Sequence, residues 1–85
     1  MPELPEVDDT LGWVYYKKGL ATLAIRSFEE SVRRDGKNAM YHYHLGLAYL
    51  QNKEKDKARD ALKQALTLNP SFDGAADAQK ALASL

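Results

Sequence analysis

Residues 5–38 and 39–72 are two copies of one pattern. A shift of 34 positions lays Leu11 on Leu45, Gly12 on Gly46, Tyr15 on Tyr49 and Ala24 on Ala58, the four identities in that overlap. Phe28 meets Leu62, Ser31 meets Ala65, and Gly36 meets Pro70. A tandem unit of this length predicts supersecondary elements stacked side by side, each burying a face against its neighbour. The recurring residues are therefore read as packing positions within and between the two units.

Written out, the second copy is Leu45-Gly46-x-x-Tyr49, then Ala58-x-x-x-Leu62-x-x-Ala65, then Pro70. This resembles the tetratricopeptide repeat, a helix–turn–helix unit of about 34 residues with an L-G-x-x-Y, A-x-x-x-F, P pattern. The resemblance spans residues 5–72. It implies an all-α fold, an α–α superhelix of two helix–turn–helix repeats, and the role of a protein-binding scaffold.

Composition agrees with that class and narrows the alternatives. Eighty-five residues make one small domain with limited room for a core. Twelve basic and twelve acidic residues give a formal net charge of zero, which argues against a broad surface for nucleic acid or anionic membrane. No cysteine is present, so a disulfide framework, a thiolate metal site and a thiol nucleophile are excluded. The apolar runs are too short to span a bilayer, and the first residues lack a basic-then-apolar signal pattern. Membrane insertion is not expected, and the cytoplasm is the expected compartment.

The periodicity predicts five helices after a lead-in segment, residues 1–6. Repeat 1, residues 7–38, holds helices at about Val7 to Lys18 and Leu20 to Arg34. The first should bury Val7, Leu11, Val14 and Tyr15, and the second Ala24, Ile25, Phe28, Ser31 and Val32. Gly12 and Gly46 leave room for a neighbouring helix to approach closely. Lys17, Lys18 and Gly19 supply a helix C-terminus. Glu29, Glu30, Arg33 and Arg34 should pair at i,i+4 on an exposed face. Repeat 2, residues 39–72, holds helices at about Ala39 to Asn52 and Asp56 to Leu68. Their buried sides are Tyr41, Leu45, Ala48 and Tyr49, then Ala58, Leu62, Ala65 and Leu66. Residues 73–85 break the repeat pattern. Ser71 or Asp73 can cap a last helix there, whose Ala75, Ala78, Ala81, Leu82 and Leu85 cover the end of repeat 2.

The start of the chain carries a second likeness. Met1-Pro2-Glu3-Leu4-Pro5-Glu6-Val7 resembles the N-terminus of the formamidopyrimidine-DNA glycosylases, which implies an attacking amine at Pro2 assisted by Glu3. The rest of that machinery is missing: those enzymes are several times longer, end in a cysteine zinc finger, and need a basic surface for DNA. The segment is read instead as a proline-broken lead into a helix.

Candidate binding residues come from a second stripe on the first helix of each unit. Asp9, Trp13, Tyr16 and Lys17 share one face, as do Tyr43, Leu47, Leu50 and Gln51, and the two sets are in register across the shift. Stacking should bring Trp13 near Leu47 and Tyr16 near Leu50. By the resemblance, these eight residues line the concave, peptide-binding groove. The carboxylate clamp of some relatives needs lysine and asparagine where this chain has Asp9, Trp13, Tyr43 and Leu47. An apolar or aromatic peptide segment is therefore the expected ligand. The competing reading makes Trp13 and Tyr43 structural, covered by an adjoining repeat or by the last helix.

His42 and His44 diverge by roughly 200° on a helix and cannot chelate one metal together. They are read as structural or solvent-facing. No G-x-S-x-G, glycine-rich phosphate loop or HExxH motif occurs, so no catalysis, metal or cofactor is expected. The expected function is non-catalytic protein–protein interaction. Arrays usually need about three repeats, so the chain is expected to be part of a larger scaffold. The alternative is a structural, self-assembling role, with the apolar face packed on further repeats or on another copy.

Overall fold

Pro5 has no amide hydrogen to leave unpaired and a φ already suited to a helix, so the first helix begins there. The computed structural model describes residues 4–85 and contains α1 (Pro5–Lys17), α2 (Ala21–Arg34), α3 (Ala39–Gln51), α4 (Lys55–Leu68) and α5 (Ala75–Ala83). The predicted lead-in is thus helical from Pro5. Met1, Pro2 and Glu3, including the pair behind the glycosylase likeness, lie outside the described residues. No strand occurs among the described residues.

α1 and α3 end in the same motif. After α1, Leu20 N–H donates to Tyr15 O at 2.9 Å and Gly19 N–H to Tyr16 O at 3.0 Å. After α3, Glu54 N–H donates to Tyr49 O at 2.9 Å and Lys53 N–H to Leu50 O at 3.0 Å. These are the paired bonds of a Schellman cap, which puts its central residue in the left-handed region. Gly19 adopts that φ, +77°, without penalty, whereas Lys53 is forced into it at +63°. The Asn38 side chain caps α3, its Oδ1 accepting from Met40 N at 3.0 Å and Tyr41 N at 3.3 Å. α5 starts at Gly74 without a side-chain cap. Neither Ser71 nor Asp73 fills that expected role; Ser71 bonds Asn69 Oδ1 instead.

Each hairpin is closed by the glycine that recurs. A Cβ on Gly12 would stand 2.5 Å from Phe28 Cδ1, and one on Gly46 would stand 2.8 Å from Leu62 Cδ2. Both glycines are buried, and Phe28 and Leu62 fill the space a side chain would have taken. The core continues from the first hairpin into the second through Ala24, Ile25, Phe28, Leu45, Ala48, Tyr49, Ala58 and Ala61. At the far end Ala75 and Ala78 of α5 are buried, while Ala81, Leu82 and Leu85 are half-buried.

Two expectations need correction. The stripe predicted to be buried on α1 is largely open: Val7 is 61% exposed, while its counterpart Tyr41 is 8% exposed. Leu11 and Val14 are exposed as well, and Tyr15 is half-buried. α2 lies over the α3 stripe, and no helix among the described residues lies over that of α1. The charged run on α2 also behaves differently. Arg34 binds Glu30 at 2.8 Å as expected for i,i+4, but reaches Asp8 of α1 at 3.0 Å too. Glu30 also pairs with Arg33. Glu29 accepts a hydrogen bond from the Tyr49 hydroxyl at 2.7 Å, tying α2 to α3.

Candidate functional site

α1 and α3 lie side by side and run in the same direction, as two bonds at their opposite ends show. His44 Nδ1 is 2.8 Å from Asp9 Oδ1, and Gln51 Nε2 donates to Tyr16 O at 3.0 Å. Both pairs are separated by 35 residues and lie two helical turns apart. The face between these bonds carries the candidate residues.

On α1, Trp13 stacks on Tyr16 with ring centroids 5.2 Å apart and planes inclined by 23°. The i,i+3 spacing sets the two rings over one another. Lys17 Nζ sits 5.4 Å from the Trp13 ring centroid, within the range of a cation–π contact. Trp13 remains 36% exposed. Its amphipathic ring is thus supported from below by protein and open above. Tyr16 and Leu50 both pack on the hydrophobic core with their outer parts accessible. Leu47 is half-buried on α3, and Gln51 is exposed.

Asp9 and Tyr43 are more heavily engaged than the rest. Asp9 and His44 side chains are each only 16% exposed, so this carboxylate is occupied by its partner. Tyr43 meets the edge of Phe72 at 5.5 Å, and a Cβ on Gly74 would come within 2.8 Å of its ring. The segment leading into α5 therefore covers one side of Tyr43. Burial pushes the Tyr43 hydroxyl above its ordinary value, with the charge of Asp77 and the nearby Tyr16 adding to it.

The residue that organises this face is one the repeat pattern did not single out. The His44 ring contacts Trp13 at 4.9 Å, Phe28 at 5.5 Å and Tyr43 at 5.9 Å. It links the core to the candidate site and holds Trp13 in place. A shift of 34 residues aligns His44 with Thr10 and Asp9 with Tyr43, so the self-comparison pairs neither partner with the other. His42 takes a different direction, its Nε2 lying 2.9 Å from Gly36 O. The two histidines do not converge, and no cluster of three potential metal ligands occurs among the described residues.

An open aromatic platform with a flanking cation can take up apolar surface and an acidic or carbonyl group beside it. No helix among the described residues is long and apolar enough to cross a membrane. A comparison with curated proteins returns no match. The family model described as tetratricopeptide repeat matches residues 10–75, which contain both hairpins' defining glycines, their hydrophobic partners and, apart from Asp9, the candidate residues of the α1–α3 face. Five helices arranged as helix–turn–helix pairs with a terminal helix, together with that match, place the chain in the tetratricopeptide repeat family.

Proposed function

We propose that the face shared by α1 and α3 binds an apolar or aromatic segment of a partner protein, without catalysis. The observation that carries this reading is the Trp13–Tyr16 stack beside Lys17, held rigid from behind by His44 yet open to solvent. Rigid aromatic surfaces of this kind dominate binding energy because they bury much area at little entropic cost. Trp13 and Tyr16 form the platform, Lys17 meets an acidic or carbonyl group, and Leu47, Leu50 and Gln51 continue the contact along α3. Asp9 and Tyr43 shape the face from within.

The test begins with partners captured from a native lysate by the wild-type chain and not by Trp13→Ala. The captured protein's binding segment is then titrated calorimetrically. Trp13→Ala should weaken that segment by about 2 kcal/mol or more, with helicity by circular dichroism unchanged. Equal affinity for the two chains would remove Trp13 from the site and the reading with it.

A further inference from the structure

The repeat register continues past the second hairpin. A further shift of 34 positions carries Tyr43 onto Asp77, so Asp9, Tyr43 and Asp77 hold the same place on α1, α3 and α5. The start of α5 keeps that correspondence. Gly74 lies under the Tyr43 ring, where a Cβ would come within 2.8 Å of it. Asp77 follows Gly74 by about one turn and so stands on the side of α5 that Gly74 turns to Tyr43. It is exposed, and its charge reaches the Tyr43 hydroxyl. α5 therefore extends the candidate face by one position.

Three charged side chains hold places on this face, and two of them are open to a ligand. Asp9 is taken up by His44 at 2.8 Å, with both side chains 16% exposed. Lys17 and Asp77 are exposed and form no ion pair among the described residues. The Lys17 ammonium rests against the Trp13 ring, a contact that leaves its N–H groups available to a carboxylate.

The neighbours of each charge keep the contrast. Lys18 follows Lys17 and Lys53 follows the adjacent α3, both exposed. The carboxylate at that end, Glu54, is engaged by Asn52 at 2.9 Å and by Lys57 at 3.4 Å. On α5, Asp77 stands between Asp73 and Lys80, both exposed, which leaves that end net negative.

Lys17 lies in the last turn of α1 and Asp77 in the first turn of α5, at opposite corners of the face. Asp77 takes the place of Asp9, eight residues before Lys17. Two helix spacings of about 9 Å and that rise of about 12 Å set the two charges roughly 20 Å apart. Trp13, Tyr16, Leu50, Leu47 and Tyr43 lie between them. An extended chain advances about 3.3 Å per residue, so about six or seven residues span the gap.

We propose that the segment bound on this face is extended and bipolar. An acidic residue meets Lys17, an apolar or aromatic stretch covers the Trp13–Tyr16 platform, and a basic residue meets Asp77, the charges about six or seven residues apart. This rests on the α1–α3 face being the binding face, and adds the spacing of charge in the ligand and a contact from α5. Opposite charges at the two corners fix the register of a segment that apolar contacts alone would let slide, and reject segments of a single sign.

The test is selection of phage-displayed random peptides, long enough for an extended or a helical ligand, on the full chain, with sequencing of the bound pool. Peptides enriched by the wild-type chain and not by Trp13→Ala should carry an acid and a base about six or seven residues apart around an aromatic or aliphatic residue. Either order counts, since both contacts are through side chains. Selection on Lys17→Glu should replace the acid by a base, and selection on Asp77→Lys should replace the base by an acid. Circular dichroism checks that both variants stay folded. The leading wild-type peptide, titrated by fluorescence anisotropy, should bind each charge-reversal variant about threefold to tenfold more weakly, a difference that molar salt should abolish. No Trp13-dependent enrichment would remove the binding face and this inference with it. Trp13-dependent peptides without the charge pair, or with signs indifferent to both reversals, would keep the face and overturn the inference. A pair about thirteen residues apart, with apolar residues at helical spacing, would overturn the extended segment.

Discussion

His44 on α3 and Asp9 on α1 meet at 2.8 Å, 35 residues apart in a chain whose repeat is 34. The bond joins the two hairpins directly on the side away from the α2–α3 contact. The imidazole that makes it also forms the back of the Trp13 platform. Both side chains are mostly buried, so the pair is shielded from competing water. His44→Ala should cost about 1–2 kcal/mol of stability through the lost bond and ring contacts. Asp9→Ala should cost about 1 kcal/mol, and the double variant should show a coupling of about 1 kcal/mol in urea denaturation. A coupling of zero would make the contact incidental.

The two hairpin glycines oppose helix propensity to steric fit. Propensity alone favours alanine over glycine by about 1 kcal/mol in a helix interior. The geometry predicts the reverse, because a methyl at Gly12 would meet the fully buried Phe28 ring. Gly12→Ala should lower stability by roughly 2–3 kcal/mol. Gly46→Ala should cost less, roughly 1–2 kcal/mol, since Leu62 can change rotamer where a ring cannot. Thermal melts that rise for either variant would contradict the close crossing.

Lys53 occupies the left-handed position that Gly19 occupies in the first hairpin. A side chain there costs about 1 kcal/mol, part of which glycine repays in the unfolded state. Lys53→Gly should therefore raise stability by about 0.5–1 kcal/mol, and Gly19→Ala should lower it by about 1 kcal/mol. Denaturant midpoints of the two variants moving in the same direction would refute the shared cap.

Tyr49 links α2 to α3 and titrates late. Burial first, then its bond to Glu29 and the charges of Glu29 and Glu54, push its hydroxyl well above the ordinary value of 10.0. Burial raises Tyr41 and Tyr43 in the same direction. Above pH 10 the unfolded chain therefore gives up tyrosyl protons more readily than the folded one. The stabilising contribution is complete below that pH and declines as pH rises through the alkaline range. Tyr49→Phe should make the decline between pH ~9 and ~11 shallower, measured by urea denaturation at each pH. An identical slope in the two proteins would place the alkaline sensitivity elsewhere.

The sequence by itself determined the period, the five helices, the glycine crossings and the faces that carry aromatic residues. Each of these is local: a 3.6-residue period, a cap or a missing Cβ acts within its own unit wherever that unit is placed. Only the tertiary structure decided what covers each face. Val7 and Tyr41 occupy the same position in the repeat, yet one is open and the other buried, because α2 covers this stripe on α3 while no described helix covers it on α1. The Asp9–His44 bond, the reach of Arg34 to Asp8 and the cover of Phe72 over Tyr43 join residues of different repeats or different helices. Their existence depends on how whole helices are placed against one another, and for Asp9 and His44 on a separation of 35 residues where the repeat is 34. A repeat pattern records what is equivalent between units, whereas these contacts arise where equivalent units have different neighbours.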